Sequence, residues 1–502
     1  MQIKQLLSSI LFFLVFLNSH AQTDGRFEGI ETLIENVLES TNSPGCAIAI
    51  VEGERILYAN GIGFRDIENQ LRVDSTTLFP IGSTTKAFTA ALLGIYRDKK
   101  MLSFNESPLK YIPNLKFFNA DLNLNLTIQD LLSMRTGLAL HDWAWAGLPL
   151  DDRNQLIKRI EFLEPTHKLR ETWNYSNWSY FIAGMIGENI TNLSWEENVK
   201  ERLFKPIQML HSNFGVQGLL NEQNASLGYQ VMNNQPIKTE YYELRAMRPA
   251  GGINSNAKDM ANWLLTWVNN GIFKGQEIIP MTFVSEAITA HSIIPKWYLP
   301  EEELGGIVTA NYGYGWIITN YQGHYRVEHG GGIDGFRSSV AFFPNEKIGV
   351  VVLTNQSSYE AALIIRNILV DRLLGLKDRK WLEEYQQKLA LTKHTEKISN
   401  NTEPETDKFA DNLPYDISGK YLNRGYGEIE IFKEDKIYYL NFRNRKLKII
   451  HKEKDIFHAV RIDSPEKRGM PALNFKSDED GFKKELFIQF DSVLNPILFT
   501  RQ

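Results

Sequence analysis

The chain is organised around the stretch FPIGSTTKAF, residues 79–88. It contains the pattern Ser-x-x-Lys at Ser83 and Lys86, and the residues that follow, 87–96, repeat apolar side chains at helical spacing. Side chains three positions apart share one face of a helix, so the Lys86 amine can reach the Ser83 hydroxyl. A serine hydroxyl needs such a base to become a good nucleophile. The free N–H groups at the start of a helix also suit a developing oxyanion.

The Ser-x-x-Lys pattern is not decisive by itself. An amine takes a proton from serine only if its pKa lies well below that of free lysine, which requires burial or a second cation. An N-cap serine followed by a solvated lysine gives the same pattern and is the more common case. The rest of the sequence therefore has to distinguish a catalytic serine from a helix cap.

Length and composition predict a large globular protein. The chain has 502 residues, of which 43% are hydrophobic and 12% aromatic, which is enough for more than one domain. Lysine and arginine number 55 against 60 acidic residues, a net charge of −5. This balance lacks the basic excess typical of nucleic-acid-binding proteins, so we predict no nucleic-acid partner.

Residues 1–21 have the pattern of a secretory signal peptide. Lys4 supplies a positive charge, the apolar run 6–17 is too short to span a bilayer, and 19–21 places small residues at the two positions that signal cleavage reads. We therefore expect export to the periplasm or the medium, with no stable membrane insertion of the mature chain. N-terminal sequencing of the exported protein should find Gln22 first.

The order of predicted elements indicates an α+β domain over residues 22–375. A helix over 27–38 and a hairpin that begins with the strand around Cys46 open the domain, and a hairpin over 339–354 and a helix over 360–374 close it. With helices and loops between them, this order predicts an antiparallel sheet built from both ends and flanked by helices. Because Cys46 is the only cysteine and lies in an apolar run, we predict a buried thiol and no internal disulfide.

The C-terminal quarter of the chain has a different pattern of charged and apolar residues. Residues 376–412 predict a charged helical connector followed by a polar linker. Over 413–502, short apolar runs alternate with turns, which predicts a small all-β, barrel-like accessory domain of about eight short strands. This module shows no catalytic constellation of its own.

Two other interpretations of the glycine-rich segment 329–335 fail. Its GGGIDG formally matches G-x-G-x-x-G, but the dinucleotide motif needs a helix after it and a strand is predicted here. Its HGGG resembles the oxyanion loop of lipases, whose fold needs a G-x-S-x-G elbow that the sequence lacks. The sequence also lacks H-E-x-x-H and paired-cysteine motifs, and we predict no metal and no cofactor.

Three short motifs follow one another along the chain: Ser83-x-x-Lys86, Tyr175-x-Asn177 and His329-Gly330-Gly331. In this order and at these separations they resemble the serine β-lactamase and penicillin-binding-protein family. The similarity is to its class C β-lactamase-like branch, which includes β-lactamases, D-alanyl-type carboxypeptidases and aminopeptidases, and esterases. It covers roughly residues 27–375 and implies the α+β β-lactamase/transpeptidase fold. The tail resembles, more loosely, the barrel-like module often found behind this branch in exported bacterial proteins.

The resemblance implies a role for each matching residue. Ser83 would be the nucleophile, and Lys86 and Tyr175 would share proton transfer, with Tyr175 considered as a phenolate beside a lysine cation. Asn177 would hold Lys86 and a substrate carbonyl by hydrogen bonds. The backbone N–H groups of Ser83 and Gly332 would form the oxyanion hole. The substrate-binding edge would comprise four consecutive residues: His329, Gly330, Gly331 and Gly332.

One position departs from the family pattern. The β-lactamases carry Lys-Thr-Gly where this chain has His329-Gly330-Gly331. Lysine supplies a permanent charge near a substrate carboxylate, whereas a histidine with a pKa of ~6.5 is mostly neutral at pH 7. We therefore expect a weaker anchor for the carboxylate of a β-lactam or of D-Ala-D-Ala, and poor β-lactamase activity, with Arg337 as a candidate replacement for the missing charge.

The sequence thus predicts an exported serine hydrolase that forms an acyl-enzyme on Ser83. It would cleave a peptide/amide or ester bond in a small-molecule or peptide substrate, in the manner of a D-amino-acid peptidase or an esterase. Three alternatives stay open: a true β-lactamase, a penicillin-recognising protein that is acylated without turnover, and a cell-surface binding protein that docks through its β module. The sequence leaves the acyl donor and the oligomeric state undetermined.

Overall fold

A computed structural model describes most of the chain. The described residues are 24–146, 152–298, 309–377, 379–399, 408–409, 416–442, 445–453, 456–461, 471–477, 483–491 and 493–502. The predicted signal peptide lies outside the described residues, and so does most of the predicted linker before the C-terminal module.

The N-terminal domain is built on a nine-stranded antiparallel sheet. The hairpin of Phe336–Phe343 and Ile348–Thr354 near the end of the domain pairs with the strand Gly45–Glu52 near its start. The strands follow one another across the sheet in this order: Ser292–Ile293, Ala310–Tyr312, Ile317–Tyr321, His324–Ile333, Phe336–Phe343, Ile348–Thr354, Gly45–Glu52, Arg55–Asp66 and Leu71–Arg72. The α+β prediction, with a sheet assembled from both ends, is confirmed.

The strand Gly45–Glu52 is apolar throughout because both faces of the sheet are covered. Successive side chains of a strand point to opposite faces. Its odd-numbered residues, such as Ala47 and Ala49, therefore pack with helix Ala257–Val268 on one side. Its even-numbered residues pack with helices Ile30–Ser40 and Glu360–Leu373 on the other side: Cys46, Ile48 and Ile50. The Cys46 thiol is fully buried as predicted, and burial raises its pKa above the ordinary value.

The helix predicted after Ser83 is confirmed as Thr85–Asp98, preceded by one 3-10 turn, Gly82–Thr84. Every residue from Thr85 to Tyr96 is buried, so this is the central helix of the helical region and not a surface helix. Phe88 stacks on Trp263 with 3.7 Å between ring centroids, and the helix also contacts Asn177–Thr191. Packing on all sides gives the turn that carries Ser83 a rigid base.

The remaining helices lie around this central helix or follow the sheet. Two of them begin at N-cap residues, Thr127 and Asn256, whose side chains accept hydrogen bonds from the third helical N–H. Besides Ile30–Ser40 and Thr85–Asp98, the helices that the structure describes are Ala120–Asn125, Ile128–Leu132, Arg153–Ile157, Asn177–Thr191, Trp195–Val199, Gly215–Leu220, Arg248–Gly251, Ala257–Val268, Met281–Ala287, Glu360–Leu373 and Trp381–Ser399. Within the described ranges, no helix combines the length and the apolar composition needed to cross a membrane.

Short strands complete the helical region in three small sheets. The first has three strands: Phe79–Pro80, Ile253–Ser255 and Asn213–Phe214. The second pairs Tyr229–Met232 with Gln235–Lys238, and the third pairs Ile272–Phe273 with Gln276–Glu277. The first of these sheets ties the segment just before Ser83 to the strand after Arg248–Gly251, since Phe79 pairs with Ser255. It therefore joins the segment before Ser83 to the segment that follows Ala250.

The C-terminal module is a closed antiparallel barrel of eight strands, as predicted. The strands are Gly419–Asn423, Gly427–Glu434, Ile437–Phe442, Arg445–Glu453, Ile456–Arg461, Ala472–Ser477, Lys483–Gln489 and Ile497–Arg501. Each pairs with the next, and the first pairs with the last through Tyr421 and Arg501, so the barrel leaves no open sheet edge. A short strand, Lys408–Phe409, adds to Arg445–Glu453 from outside.

Candidate active site

The structure brings the three sequence motifs together around the Lys86 amine. Lys86 Nζ lies 2.9 Å from Ser83 Oγ, 2.8 Å from Asn177 Oδ1 and 2.8 Å from the Ala250 carbonyl oxygen. Asn177 is the first residue of its helix, and Ala250 lies in the helical turn Arg248–Gly251. The oxygens of Asn177 and Ala250 accept from the amine and hold it beside the Ser83 hydroxyl.

Burial gives Lys86 the pKa of a base. Its side chain is inaccessible to solvent, and this desolvation lowers its pKa to about 7, while the negative charge of Asp142 opposes the shift. A group with this pKa is neutral in roughly half of the molecules at pH 7. A lysine that acts as a base needs a pKa far below its ordinary value. In this site, desolvation of Lys86 meets that condition.

Tyr175 lies on the same side of Ser83 as Lys86. Its ring centroid is 4.8 Å from Lys86 Nζ, and the ring stacks on Tyr298 at 5.8 Å. Burial raises the pKa of Tyr175 well above its ordinary value, and a hydrogen bond with Ser83 offsets only part of this increase. The phenol therefore stays protonated at neutral pH, and the phenolate considered from the sequence is wrong for this environment.

Asp142 is a functional residue that the sequence motifs did not reveal. Asn177 Nδ2 and Trp145 Nε1 both donate to Asp142 Oδ1, at 3.0 and 2.9 Å. Burial raises the pKa of Asp142 to about 6, which leaves it mostly ionised at pH 7. Because a carboxylate accepts only from the amide nitrogen, Asp142 turns Asn177 Oδ1 toward Lys86. In the sequence, Asp142 is marked only by the tryptophans that follow it, Trp143 and Trp145.

The glycine-rich segment after His329 lies inside a strand. Strand His324–Ile333 runs through all three glycines, and Gly331 pairs with Ser338 of the next strand. A methyl group added to Gly331 would overlap the Ile81 carbonyl oxygen. Glycine is required here because the strand and the Ser83 turn touch through their backbones, and Ser338 Oγ fastens that contact by donating to Ile81 O at 2.8 Å.

The same close approach places Gly332 beside Ser83. Gly82 has a φ of +51°, and a Cβ on it would lie 2.7 Å from the Gly332 amide nitrogen. Ser83 and Gly332 both line two cavities, of about 240 and 370 Å³, which open on either side of Ser83. The site therefore has room for a group on each side of a bond held at Ser83.

His329 is buried and neutral. Its Nδ1 lies 2.6 Å from the Gly330 carbonyl oxygen, which can only accept, so Nδ1 carries the proton and Nε2 accepts from Tyr312 Oη at 3.3 Å. Desolvation and the charge of Lys86 lower the pKa of His329 to about 3. The site thus lacks the permanent charge that a lysine would supply at this position.

Arg337 lies at the edge of the site. Its guanidinium carbon is 4.0 Å from the centroid of the Tyr359 ring, and its Nη1 occupies the space beside Gly332. A positive charge is therefore present near the cavities, and a role for it in binding a carboxylate stays a prediction. Among the described residues, no group of three His, Cys, Asp or Glu side chains is arranged to hold a metal ion.

Comparison with known proteins places this site in context. The family model described as Beta-lactamase matches residues 30–374. Protein flp of Staphylococcus aureus (strain MW2) is 25% identical over 349 residues, 69% of this chain and 66% of that protein. This chain therefore spans just under two thirds of the length of that relative. Unguisins hydrolase ungD of Aspergillus violaceofuscus (strain CBS 115571) is 26% identical over 448 residues, 82% of this chain and 77% of that protein.

A solved structure shares the fold over nearly the whole chain. The octameric penicillin-binding protein homologue from Pyrococcus abyssi superposes with a TM-score of 0.63 and 22% sequence identity, covering 94% of this chain and 99% of that one. The family model covers more than half of the chain and includes all three motifs. This chain belongs to the Beta-lactamase family.

Proposed function

We propose that this protein is a serine hydrolase that cleaves a peptide/amide or ester bond through an acyl-enzyme on Ser83. The observation that carries the proposal is the 2.9 Å contact between Ser83 Oγ and a Lys86 amine whose pKa is lowered to about 7. A solvated lysine beside a cap serine would be fully charged and could not act as a base. The printed name of the Aspergillus relative, a hydrolase, supports the same class of reaction.

In the first step Lys86 Nζ takes the proton of Ser83, and Ser83 Oγ forms a bond to the substrate carbonyl carbon. The carbonyl oxygen becomes an oxyanion, which the N–H groups of Ser83 and Gly332 would stabilise. Collapse of this intermediate breaks the bond to the leaving amine or alcohol. We assign the protonated Tyr175 as the group that gives the leaving atom its proton, with the Lys86 ammonium replacing that proton on Tyr175.

In the second step a water molecule attacks the acyl carbon. Its proton returns to the Lys86–Tyr175 pair, the bond between the acyl carbon and Ser83 Oγ breaks, and Ser83 regains its hydrogen as the acid leaves. Asn177 keeps Lys86 in place through both steps because its Oδ1 lies 2.8 Å from Lys86 Nζ. The cycle needs only groups of this chain and water.

The neutral state of His329 weakens the anchor for any substrate that carries a carboxylate. A β-lactam and a D-alanyl-D-alanine peptide both carry one, and His329, with its pKa lowered to about 3, supplies no charge to bind it between pH 5 and 8. Acidification within that range would not change this. We therefore propose a hydrolase of the D-amino-acid peptidase or esterase type with poor β-lactamase activity.

The substrate class is tested by steady-state hydrolysis of a p-nitrophenyl ester, a D-alanyl-D-alanine peptide and a cephalosporin. We expect sustained turnover of the ester or the peptide that is lost in Ser83→Ala. Hydrolysis of the cephalosporin should stay slow and unsaturated from pH 5 to 8. Efficient, saturable cephalosporin hydrolysis would make the protein a β-lactamase. A single burst with every acyl donor, and no steady rate, would make it an acylated binding protein.

We further propose that the protein acts outside the cytoplasm. The support is the signal-peptide pattern of residues 1–21, which lie outside the described residues. A mature exported protein that begins at Gln22 is the expected result, and an unprocessed N-terminus in exported material would contradict it.

A further inference from the structure

One end of the C-terminal barrel rests on the loop that carries Asp142. The turn between the first two barrel strands approaches the N-terminal domain, where Arg159 donates to the Gly425 carbonyl oxygen at 2.8 Å and Arg424 lies 4.1 Å above the Phe162 ring. His141 and Trp143 of the segment 141–146 also contact the barrel, and this segment lines the smaller of the two cavities through Asp142, Trp145 and Ala146. The barrel is thus in contact with the wall of the active site.

A buried hydrogen bond ties the barrel to the start of this loop. His141 Nε2 lies 2.9 Å from the Glu164 carbonyl oxygen, which can only accept, so Nε2 carries the ring proton. Burial lowers the pKa of His141 to about 4, so the ring is neutral at pH 7 and Nδ1 is an acceptor. Tyr426 Oη of the barrel therefore donates to His141 Nδ1 at 2.8 Å. Without Tyr426 Oη, this buried acceptor would lose that partner.

Aromatic packing holds Trp143, the residue after Asp142, against the barrel. Trp143 stacks on Phe490 with 5.3 Å between ring centroids, and it lies 5.9 Å from Phe442. Phe442 ends one barrel strand and Phe490 directly follows another, so both belong to the same end of the barrel. The barrel holds the residues on both sides of Asp142, one by a hydrogen bond and one by stacking.

From Asp142 the contacts continue to the nucleophile. Asp142 Oδ1 accepts from Asn177 Nδ2 at 3.0 Å, and Asn177 Oδ1 accepts from Lys86 Nζ at 2.8 Å. Lys86 Nζ in turn lies 2.9 Å from Ser83 Oγ. Every link in this path is a direct contact, and its outer end is a residue of the barrel.

We propose that the C-terminal barrel positions the active-site loop 141–146, so that Asp142 holds Asn177 in the orientation that Lys86 needs. Tyr426 and Trp143 are positioning residues in this account, and neither touches the reacting atoms. The inference rests on the proposed function, because it assigns the barrel a part in the activation of Ser83. It gives the module a role in catalysis that docking to a cell surface would not require.

The test compares two conservative changes of buried barrel tyrosines in the full-length protein. Tyr426→Phe removes the hydrogen bond to His141, whereas Tyr421→Phe removes one that stays within the barrel, to the Ile417 carbonyl oxygen at 3.0 Å. We expect Tyr426→Phe to lower kcat for the ester by about 5- to 150-fold, the fold-change that corresponds to losing the partner of a buried acceptor. Tyr421→Phe should change kcat by less than about twofold at a similar loss of thermal stability.

A double-mutant cycle with Asp142→Ala separates positioning from general destabilisation. If the barrel acts through Asp142, adding Tyr426→Phe to Asp142→Ala should lower kcat by less than about twofold further. Full additivity, or equal losses in both tyrosine variants, would overturn the inference. Labelling of wild-type Ser83 by a fluorophosphonate tests the proposed function separately. A wild-type protein that labels normally while Tyr426→Phe keeps full kcat would contradict the barrel's role alone.

Discussion

Replacing Lys86 by methionine should lower the rate of acylation of Ser83 by about 10³-fold or more, which is the upper part of the range for loss of a general base. The change keeps a flexible side chain of similar length and removes the amine that lies 2.9 Å from Ser83 Oγ. Without it the alcohol has no group nearby to take its proton, because burial keeps the Tyr175 phenol protonated. The measurement is the rate constant for modification by a fluorophosphonate, followed by intact mass.

Lys86→Arg is the matched control for this prediction. Arginine keeps the positive charge but is not deprotonated in proteins, so it should be as inactive as Lys86→Met if the amine acts as a base. The wild-type profile should agree: acylation rises with pH as the amine loses its proton, and it levels off above about pH 7, the lowered pKa of Lys86. An arginine variant that keeps a tenth of the wild-type rate, or a wild-type rate independent of pH between 5 and 9, would contradict this role.

Gly331→Ala should lower kcat/KM by about 10²- to 10³-fold, the usual cost of disturbing an oxyanion hole. The added methyl would overlap the backbone oxygen of Ile81, and a backbone atom in this packed turn cannot move aside. The strand must then separate from the Ser83 turn, which draws the Gly332 N–H away from the developing oxyanion. The comparison is made on the ester, with the folded state checked by circular dichroism.

The neighbouring glycine supplies the control. A methyl added to Gly330 would lie 3.5 Å from the Ser338 carbonyl oxygen, an ordinary contact, so Gly330→Ala should fold normally and lose less than about tenfold in kcat/KM. Equal losses in the two variants would show that glycine at these positions serves only the stability of the strand. Full activity in Gly331→Ala would mean that the close approach to Ile81 is not needed for catalysis.

Much of the fold follows from local patterns in the sequence. The strand around Cys46 was predicted because an unbroken apolar run is typical of a strand that is buried on both faces. The helix starts at Thr127 and Asn256 were predictable because a cap and its partner lie three residues apart, so their contact depends on local geometry only. The eight-stranded barrel was predicted from its alternating apolar runs, and its closure is confirmed.

The parts that escaped prediction depend on contacts between distant segments. Asp142 acts on Asn177 across 35 residues, and nothing in its immediate neighbours marks it as a partner of the catalytic lysine. The sequence does not show that the three glycines after His329 lie within a strand, since glycine is unfavourable in strands. The structure places them inside strand His324–Ile333, where the backbone of Ile81 leaves no space for a side chain at Gly331. At Asp142 and at the glycines after His329, contacts between distant segments determine the structure, and local sequence patterns do not reveal them.

The protonation states needed the structure as well. A sequence assigns Lys86, Tyr175 and His329 only their ordinary pKa values, which would make the lysine charged and the histidine partly charged at pH 7. Burial lowers the pKa of Lys86 to about 7, which leaves its amine neutral in roughly half of the molecules, and it lowers the pKa of His329 to about 3, which removes the remaining charge of that ring. The division of roles between Lys86 and Tyr175 therefore follows from desolvation and not from residue type.

The most direct test of the account is intact mass after incubation with a fluorophosphonate, for the wild type and Ser83→Ala, followed by peptide mapping. Activation of Ser83 by Lys86 predicts a single adduct on Ser83 in the wild type and none in the variant. A folded wild type that forms no adduct, or an adduct that persists in Ser83→Ala, would contradict the claim that Ser83 is an activated nucleophile.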